Sequence, residues 1–165
     1  MNCTTKLYFD RIETHIGDLI MAAGENGLHY VTFQDRCAEE LQRDWIYSPA
    51  NMAKYTAQIK EYFTGERQHF DLPLHPQGTP FQQKIWQALI AIPFGSTVTY
   101  AELAEMAGNP GACRAAGNAN GNNPIVIIQP CHRVVAANAK LGGFSAGLYR
   151  KRFLLGLEKG INTLF

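Results

Sequence analysis

The chain has 165 residues, of which 46% are hydrophobic, and carries a formal net charge of +1. That is enough for one good core or two small ones, and no apolar run approaches the roughly 20 residues a membrane helix needs. The charge is uneven: residues 1–79 hold 7 Lys and Arg against 11 Asp and Glu, net −4, and residues 80–165 hold 8 against 3, net +5. A polyanion partner for the second half fits that split, and so does an ordinary solvated surface. The opening MNCTTKLYFDRIET lacks the basic-then-apolar pattern of a secretory signal. Four widely spaced cysteines (Cys3, Cys37, Cys113, Cys131) include no C-x-x-C. A reduced, intracellular protein is therefore expected, rather than a disulfide framework.

The elements read as an α+β chain of two domains, residues 1–75 and 76–165. The first is expected to hold a small antiparallel sheet with helices. KLYFDRIE, GDLIMAA and LHYVTF are rich in β-formers, and GENG at 24–27 is a hairpin-type turn. Residues 37–46 and 52–63 read as helices. Met52, Tyr55, Ile59, Tyr62 and Phe63 form an apolar stripe on the second, with Gly65 as its stop. Residues 66–79, with two prolines, two histidines and a glycine, read as a linker.

The second domain reads as mainly helical. Thr79, Pro80 and Gln82 fit a capping box with proline at the first helical position, and Phe81, Ile85, Ala88 and Leu89 then face one way. Thr99 and Glu102 fit another capping box. TYAELAEMA followed by GACRAAGNANG, with Gly108 and Asn109-Pro110 between, predicts a helix-turn-helix or an ordinary corner of two helices. The second helix is smooth. Its one long side chain is Arg114, whereas a helix that reads base edges carries several. Asn122-Asn123-Pro124 follows, then IVII as a short buried strand, PCHRVV, the glycine-rich loop ANAKLGGFSAG and a last helix, LYRKRFLLGLEKG. On that helix Leu148, Phe153, Leu154 and Leu157 lie on or near the apolar side, and Glu158 lies near the end.

Cys131 stands out. A lone cysteine among apolar residues is most often a small core residue, but Pro130 places this one at a strand end, next to His132 and Arg133. A nearby base or cation raises the thiolate fraction of a thiol. Neighbours on an extended strand point to opposite faces, so His132 meets the thiol after a turn or through a water. Its orienting acid is best supplied by Glu158, since Glu102 and Glu105 are the only other carboxylates from residue 80 onward. An acid near a helix C-terminus is electrostatically disfavoured, which hints at a partner. Adjacent Cys and His are poorly spaced to chelate one zinc. A thiol-dependent hydrolase needs the same pair plus an oxyanion hole, and the smooth helix and basic second half weigh against it.

PCHRV, preceded by RAAGNANGNNP and followed by GGFSAGLYRKRFLLGLE, resembles the O6-alkylguanine-DNA alkyltransferase family over about residues 79–160, and the first half fits that family's small N-terminal domain with weaker motifs. The resemblance implies DNA repair by a single-turnover, irreversible transfer of the alkyl group from O6-alkylguanine, with O4-alkylthymine as a further substrate, to Cys131. The lesion sits in the pairing edge, so the base must be flipped out, here from the minor groove by the helix-turn-helix. Arg114 matches the arginine that fills the gap in the stack, with Ala115 and Gly117 among the small residues that permit close approach. Asn123 matches a residue tying the helix-turn-helix to the active-site strand, and with Arg133 it is expected on the DNA-binding side. His132, through a water, removes the thiol proton and Glu158 orients it. Tyr100 gives a proton to the ring, Ser145 bonds the O6 oxygen, and the backbone carbonyls of Cys131 and Val134 accept from the guanine amino group.

Several positions depart from the family pattern. Phe144 stands where many relatives carry Tyr, and Cys113 where Ala is common. Some relatives hold a zinc in the N-terminal domain. Cys3 and His29 match two of its ligands, but Gly24 replaces a cysteine, so no metal is expected, and no cofactor. The expected partner is double-stranded DNA containing alkylated guanine, with no membrane. The protein is expected to act as a monomer, with cooperative binding on DNA left open, in the cytoplasm, or in the nucleus of a eukaryotic cell. The alternative reading is a non-catalytic alkyltransferase-like lesion binder, a class that carries tryptophan at the acceptor position.

Overall fold

In the computed structural model, which describes residues 5–161, the three β-rich stretches form strands β1 (Tyr8–Ile12), β2 (Leu19–Gly24) and β3 (Gly27–Phe33). β1 pairs with β2, and β2 with β3, antiparallel. The central strand is the most buried, with Leu19, Ile20, Met21 and Ala22 all at 0% exposure. Helix α2 (Pro49–Phe63) packs on β1 and β2 through Met52, Tyr55, Ile59 and Tyr62, the stripe read from the sequence. Ser48 caps its N-terminus and Pro49 takes the first helical position, where the missing N–H is no loss.

Residues 37–46 do not form the expected helix. They hold one short turn, α1 (Glu39–Gln42), and then strand β4 (Ile46–Tyr47), which runs parallel to β1. The sheet, in the order β3-β2-β1-β4, is therefore mixed and not wholly antiparallel. Tertiary packing overrides the local helical pattern: Trp45 stacks on Tyr30 with ring centroids 5.3 Å apart, and Tyr47 meets Phe9 at 5.5 Å. Aromatic residues gain most from such cross-strand contact. The expected linker also has structure. Leu28 N–H donates to Pro73 O and His75 N–H to Leu28 O, both at 2.8 Å, so residues 73–75 close the outer edge of β3, which would otherwise offer unpaired groups. Cys3, weighed as a zinc ligand, lies outside the described residues. His29 is buried against His75, ring centroids 4.9 Å apart. Among the described residues no cluster of three or more His, Cys, Asp or Glu is placed to hold a metal ion.

The chain divides into two compact units after Pro76. In the second, α3 (Pro80–Ile90) and α4 (Tyr100–Met106) both start with the capping boxes read from the sequence, Thr79 with Gln82 and Thr99 with Glu102. α5 (Cys113–Gly121) packs on both helices, and Trp86 Nε1 donates to Ala119 O at 2.9 Å. α4, the turn and α5 form the helix-turn-helix. Strands β5 (Val98–Thr99) and β6 (Val134–Val135) pair in parallel, and α6 (Leu148–Glu158) closes the unit.

Two expectations fail here. IVII is no strand: residues 126–128 form a turn in which Ile127 has a φ of 74°, and Gln129 N–H reaches back to Ile125 O at 3.0 Å. The last helix does not bury a leucine stripe either. Leu148 is exposed and Phe153 and Leu157 are half-buried, while Leu154 shares the buried face with Arg150, Lys151 and Glu158.

The edge closure on β3 is testable. Gly27 has a φ of +127°, and a Cβ there would lie 2.5 Å from Pro73 O. Gly27→Ala combines a disfavoured backbone with a backbone clash, so it should lower unfolding stability by about 3 kcal/mol. Urea unfolding checks this, and a loss below about 1 kcal/mol would mean that residues 73–75 are not held on β3.

Candidate active site

The turn that replaces the expected strand sets the cysteine in place. Asn123 Oδ1 accepts from Ile125 N–H at 3.0 Å and from Gln129 Nε2 at 2.7 Å, while its Nδ2 donates to Gln129 O at 2.7 Å. Asn123, expected on the DNA-binding side, is thus a half-buried brace for the loop before Cys131, and it also bonds the thiol. Cys131–Arg133 form a single 3₁₀ turn, not an extended strand, so Cys131 and His132 are both buried, at 2% and 0% exposure.

Glu158, the last residue of α6, is the hub. His132 Nε2 lies 2.6 Å from Glu158 Oε1. Arg133 donates from Nε to Oε2 and from Nη2 to Oε1, each at 2.9 Å, and Gly95 N–H donates to Oε2 at 3.2 Å. The sequence placed Arg133 among the DNA contacts. The structure corrects this: Arg133 is 5% exposed, and its remaining Nη1 donates to Ile92 O at 2.7 Å. Burial pushes the Glu158 carboxyl up, but the bonds and charges of His132 and Arg133 override that and hold it at about 2. Burial lowers His132 against the pull of Glu158, which favours the neutral ring. A neutral ring facing a carboxylate carries its proton on Nε2, which leaves Nδ1 as a bare acceptor. Nδ1 is buried and has no hydrogen-bond partner among the described residues.

Lys151 is a residue the sequence reading missed. Fully buried, it donates from Nζ to Val134 O at 2.6 Å and to Gly143 O at 3.0 Å. Burial lowers its pKa to about 8, opposed by the nearby Cys131. Only its place about two turns before Glu158, on the buried side of α6, marks it in the sequence. Burial raises the Cys131 thiol to about 11, and the Asn123 bond and the Lys151 cation oppose the rise. Tyr100 OH donates to the same Gly143 O at 3.3 Å. Its pKa is raised by burial and then by Cys131. Gly142, with a φ of +73°, leaves room for the ring: a Cβ there would lie 3.3 Å from the Tyr100 hydroxyl.

A pocket of about 220 Å³ opens beside these groups. Tyr100 forms part of its wall, Gly117, Asn120 and Gly121 of α5 another part, and Gly143, Phe144 and Ser145 of the glycine-rich loop the rest. Ser145 is exposed there. Arg114 and Ala115 lie exposed on the outer face of α5, while Ala116, Ala119 and Asn120 are buried on its inner face. A larger cavity of about 580 Å³ is lined by Ile12, His15, Lys60 and their neighbours in the first unit and holds none of the predicted chemistry.

The buried carboxylate should be visible in stability. Its folded pKa of about 2 lies below the ordinary 4.5, so its contribution is complete above pH 4.5 and is lost as pH falls toward 2. Glu158→Gln leaves Arg133 buried without its counter-charge and should cost about 3 kcal/mol at pH 7, with a clearly smaller difference from wild type near pH 3. Urea unfolding at the two pH values checks this, and an equal difference at both would contradict the carboxylate pairing.

The comparisons with known proteins agree with this geometry. Residues 80–160 match the family model described as 6-O-methylguanine DNA methyltransferase, DNA binding domain, and residues 7–76 match that of its ribonuclease-like domain. A methylated-DNA–protein-cysteine methyltransferase of Methanosarcina acetivorans is 45% identical over 92% of this chain and 98% of its own length. The crystal structure of the Mycobacterium tuberculosis O6-methylguanine methyltransferase superposes with a TM-score of 0.88 at 41% identity, covering 96% of each chain. A structure of the M. tuberculosis protein in complex with DNA gives 0.86 at 42% identity, covering 93% of this chain and 94% of that one. With both halves matched in order by the two domain models, and with relatives of this identity aligned nearly end to end, the chain belongs to the methylated-DNA–protein-cysteine methyltransferase family.

Proposed function

We propose that this chain repairs DNA by moving the alkyl group of O6-alkylguanine onto Cys131, once per molecule. The observation that carries the assignment is the Glu158–His132 pair, whose free Nδ1 has no protein partner, one residue from a buried cysteine. A water at that nitrogen gives the thiol proton a path to His132. The resulting imidazolium is stabilised by a carboxylate already held as an anion. Sγ then attacks the alkyl carbon, the S–C bond forms as the C–O6 bond breaks, and the electron pair stays with the purine. Tyr100, between pocket and thiol, supplies the proton that the leaving purine takes up. Lys151 steadies the developing thiolate. On this reading Ser145 bonds O6, and the Val134 and Cys131 carbonyls accept from the base amino group. O4-alkylthymine is a further substrate on this reading. The protein acts as a monomer in the compartment that holds the DNA.

The outer face of α5 suits minor-groove entry. With Ala115 and half-buried Gly117 behind it, Arg114 projects from a surface smooth enough for close backbone approach. Filling the gap left by a flipped base is the wedge logic of minor-groove binders, and the lack of base-reading side chains lets lesions be met in any sequence.

Intact mass is the direct test. Incubation with DNA containing O6-methylguanine should add one methyl group to the wild type and none to Cys131→Ser, which should still bind DNA. Label found on Cys113, or undiminished transfer in the variant, would remove Cys131 from the role.

Flipping can be separated from chemistry. Arg114→Ala should react nearly normally with the free O6-alkylguanine base. On saturating duplex DNA it should be slower by roughly ten- to a thousandfold, because unstacking costs a few kcal/mol and 1.4 kcal/mol is about tenfold in rate. Arg114→Lys keeps the charge and loses the planar group. Equal slowing on base and duplex would make Arg114 a structural residue.

A further inference from the structure

Asn120 is buried on the inner face of α5 at 5% exposure and has no part in the chemistry described above. It lines the pocket with Tyr100, Gly117 and Phe144. Its Nδ2 donates to the Cys131 backbone carbonyl at 3.4 Å. Its Oδ1 is buried and has no hydrogen-bond partner among the described residues. Turning the amide over would set Oδ1 against the Cys131 carbonyl oxygen, acceptor against acceptor, so the observed orientation is the favourable one. A buried acceptor without a partner is disfavoured and rare in a native fold. The residue that carries it stands in the wall of the pocket beside Tyr100.

The chemistry of the lesion says what completes it. Alkylation at O6 removes the hydrogen from N1, so the ring edges of O6-alkylguanine offer acceptors at O6, N1, N3 and N7 and one donor group, the exocyclic 2-amine. We propose that Asn120 is a specificity-determining residue whose Oδ1 accepts a hydrogen bond from that amine when the base is in the pocket. One amide then orders two acceptors for the same group, its own Oδ1 and the Cys131 carbonyl that its Nδ2 grips. Oδ1 is buried in the free protein, so the bond adds little desolvation penalty on the protein side once the side chain turns toward the base. An alkylated adenine analogue carries only a hydrogen at that position, and O4-alkylthymine carries a carbonyl oxygen, so neither completes the acceptor. Asn120 thus favours guanine among alkylated bases.

This proposal rests on the alkyl-transfer reading, and its test separates the two. Single-turnover transfer is measured from oligonucleotides carrying O6-methylguanine and from the same oligonucleotides carrying O6-methylhypoxanthine, which differs only in lacking the 2-amine. The ratio of the two rates is the readout. Differences in base pairing are common to all the proteins compared and cancel. Asn120→Leu should shrink the ratio about tenfold, the effect of one hydrogen bond to an acceptor already free of water. Asn120→Asp, protonated in this buried setting so that its hydroxyl donates to the Cys131 carbonyl, keeps an acceptor and should hold the ratio within about twofold, whatever its overall rate. Thermal unfolding confirms that the variants are folded, and Asn120→Ala replaces the leucine variant if that one is not. A residue that only supported the fold would slow both substrates alike, so an unchanged ratio in a folded Asn120→Leu or Asn120→Ala protein overturns the assignment. Failure of the wild type to take methyl from either oligonucleotide overturns the alkyl-transfer reading itself.

Discussion

A single buried carboxylate organises the reactive half of this protein. Glu158 accepts from His132, from two nitrogens of Arg133 and from the Gly95 N–H. A carboxylate with no exposed side-chain area would be ruinous alone, and a buried ion pair is tolerated only when its geometry is good and its remaining lone pairs are filled. Here the guanidinium meets both oxygens in a fork, the arrangement Arg makes and Lys cannot. Those bonds tie the end of α6 to the 3₁₀ turn of Cys131 and to the loop after α3, where Arg133 also holds Ile92 O. The same contact does chemical work. By accepting from His132 Nε2 it commits the free ring nitrogen to be a base. Arg133 supplies the neutralising charge, so the imidazole need not be charged at rest and stays able to take a proton.

Lys151 is also a buried ion, and it is held differently from Arg133. Its nitrogen bonds carbonyls and no carboxylate: Val134 O beside the cysteine turn and Gly143 O in the glycine-rich loop. Tyr100 OH reaches the same Gly143 oxygen, so one carbonyl joins α4, α6 and the loop that walls the pocket. The site is set for a transient anion. The thiol is held near 11 by burial and rests protonated, while a partly desolvated ammonium close by favours the thiolate once the proton has moved. A resting thiol of this kind is guarded against solvent oxidants, which react with the exposed thiolate.

The parts of this arrangement legible in the sequence are those set by local chemistry. Thr79 with Gln82 and Thr99 with Glu102 declare their helix starts because the capping bonds lie within four residues. Pro-Cys-His-Arg and a stranded acid near a helix end together pointed to Cys131, His132 and Glu158. What was missed depends on contacts distant in sequence. IVII has a strand's composition, but Asn123 satisfies the backbone and side chain of its turn. Residues 37–46 have helical spacing, but Trp45 and Tyr47 find aromatic partners on the sheet. Arg133 read as a DNA contact and Lys151 drew no attention, since such residues are seldom fully buried unless paired, and the partners that bury them lie on other elements.

The two faces of α5 explain why that helix is so poor in large residues. On the proposed function its outer face comes close to a duplex, which favours Ala115 and small residues around Arg114. Its inner face must bring backbone close to α3, where Trp86 bonds the Ala119 carbonyl, and must leave a cavity beside Tyr100, where a Cβ on Gly117 would already lie 3.6 Å from the ring. The two glycines and two asparagines of α5 give up intrinsic propensity, and with small residues at most other positions the helix gains little from side-chain burial. Its stability is therefore borrowed from α3, α4 and the braced loop before Cys131. Anything that loosens that frame should blunt DNA approach and pocket shape together, because the same short run of backbone serves both.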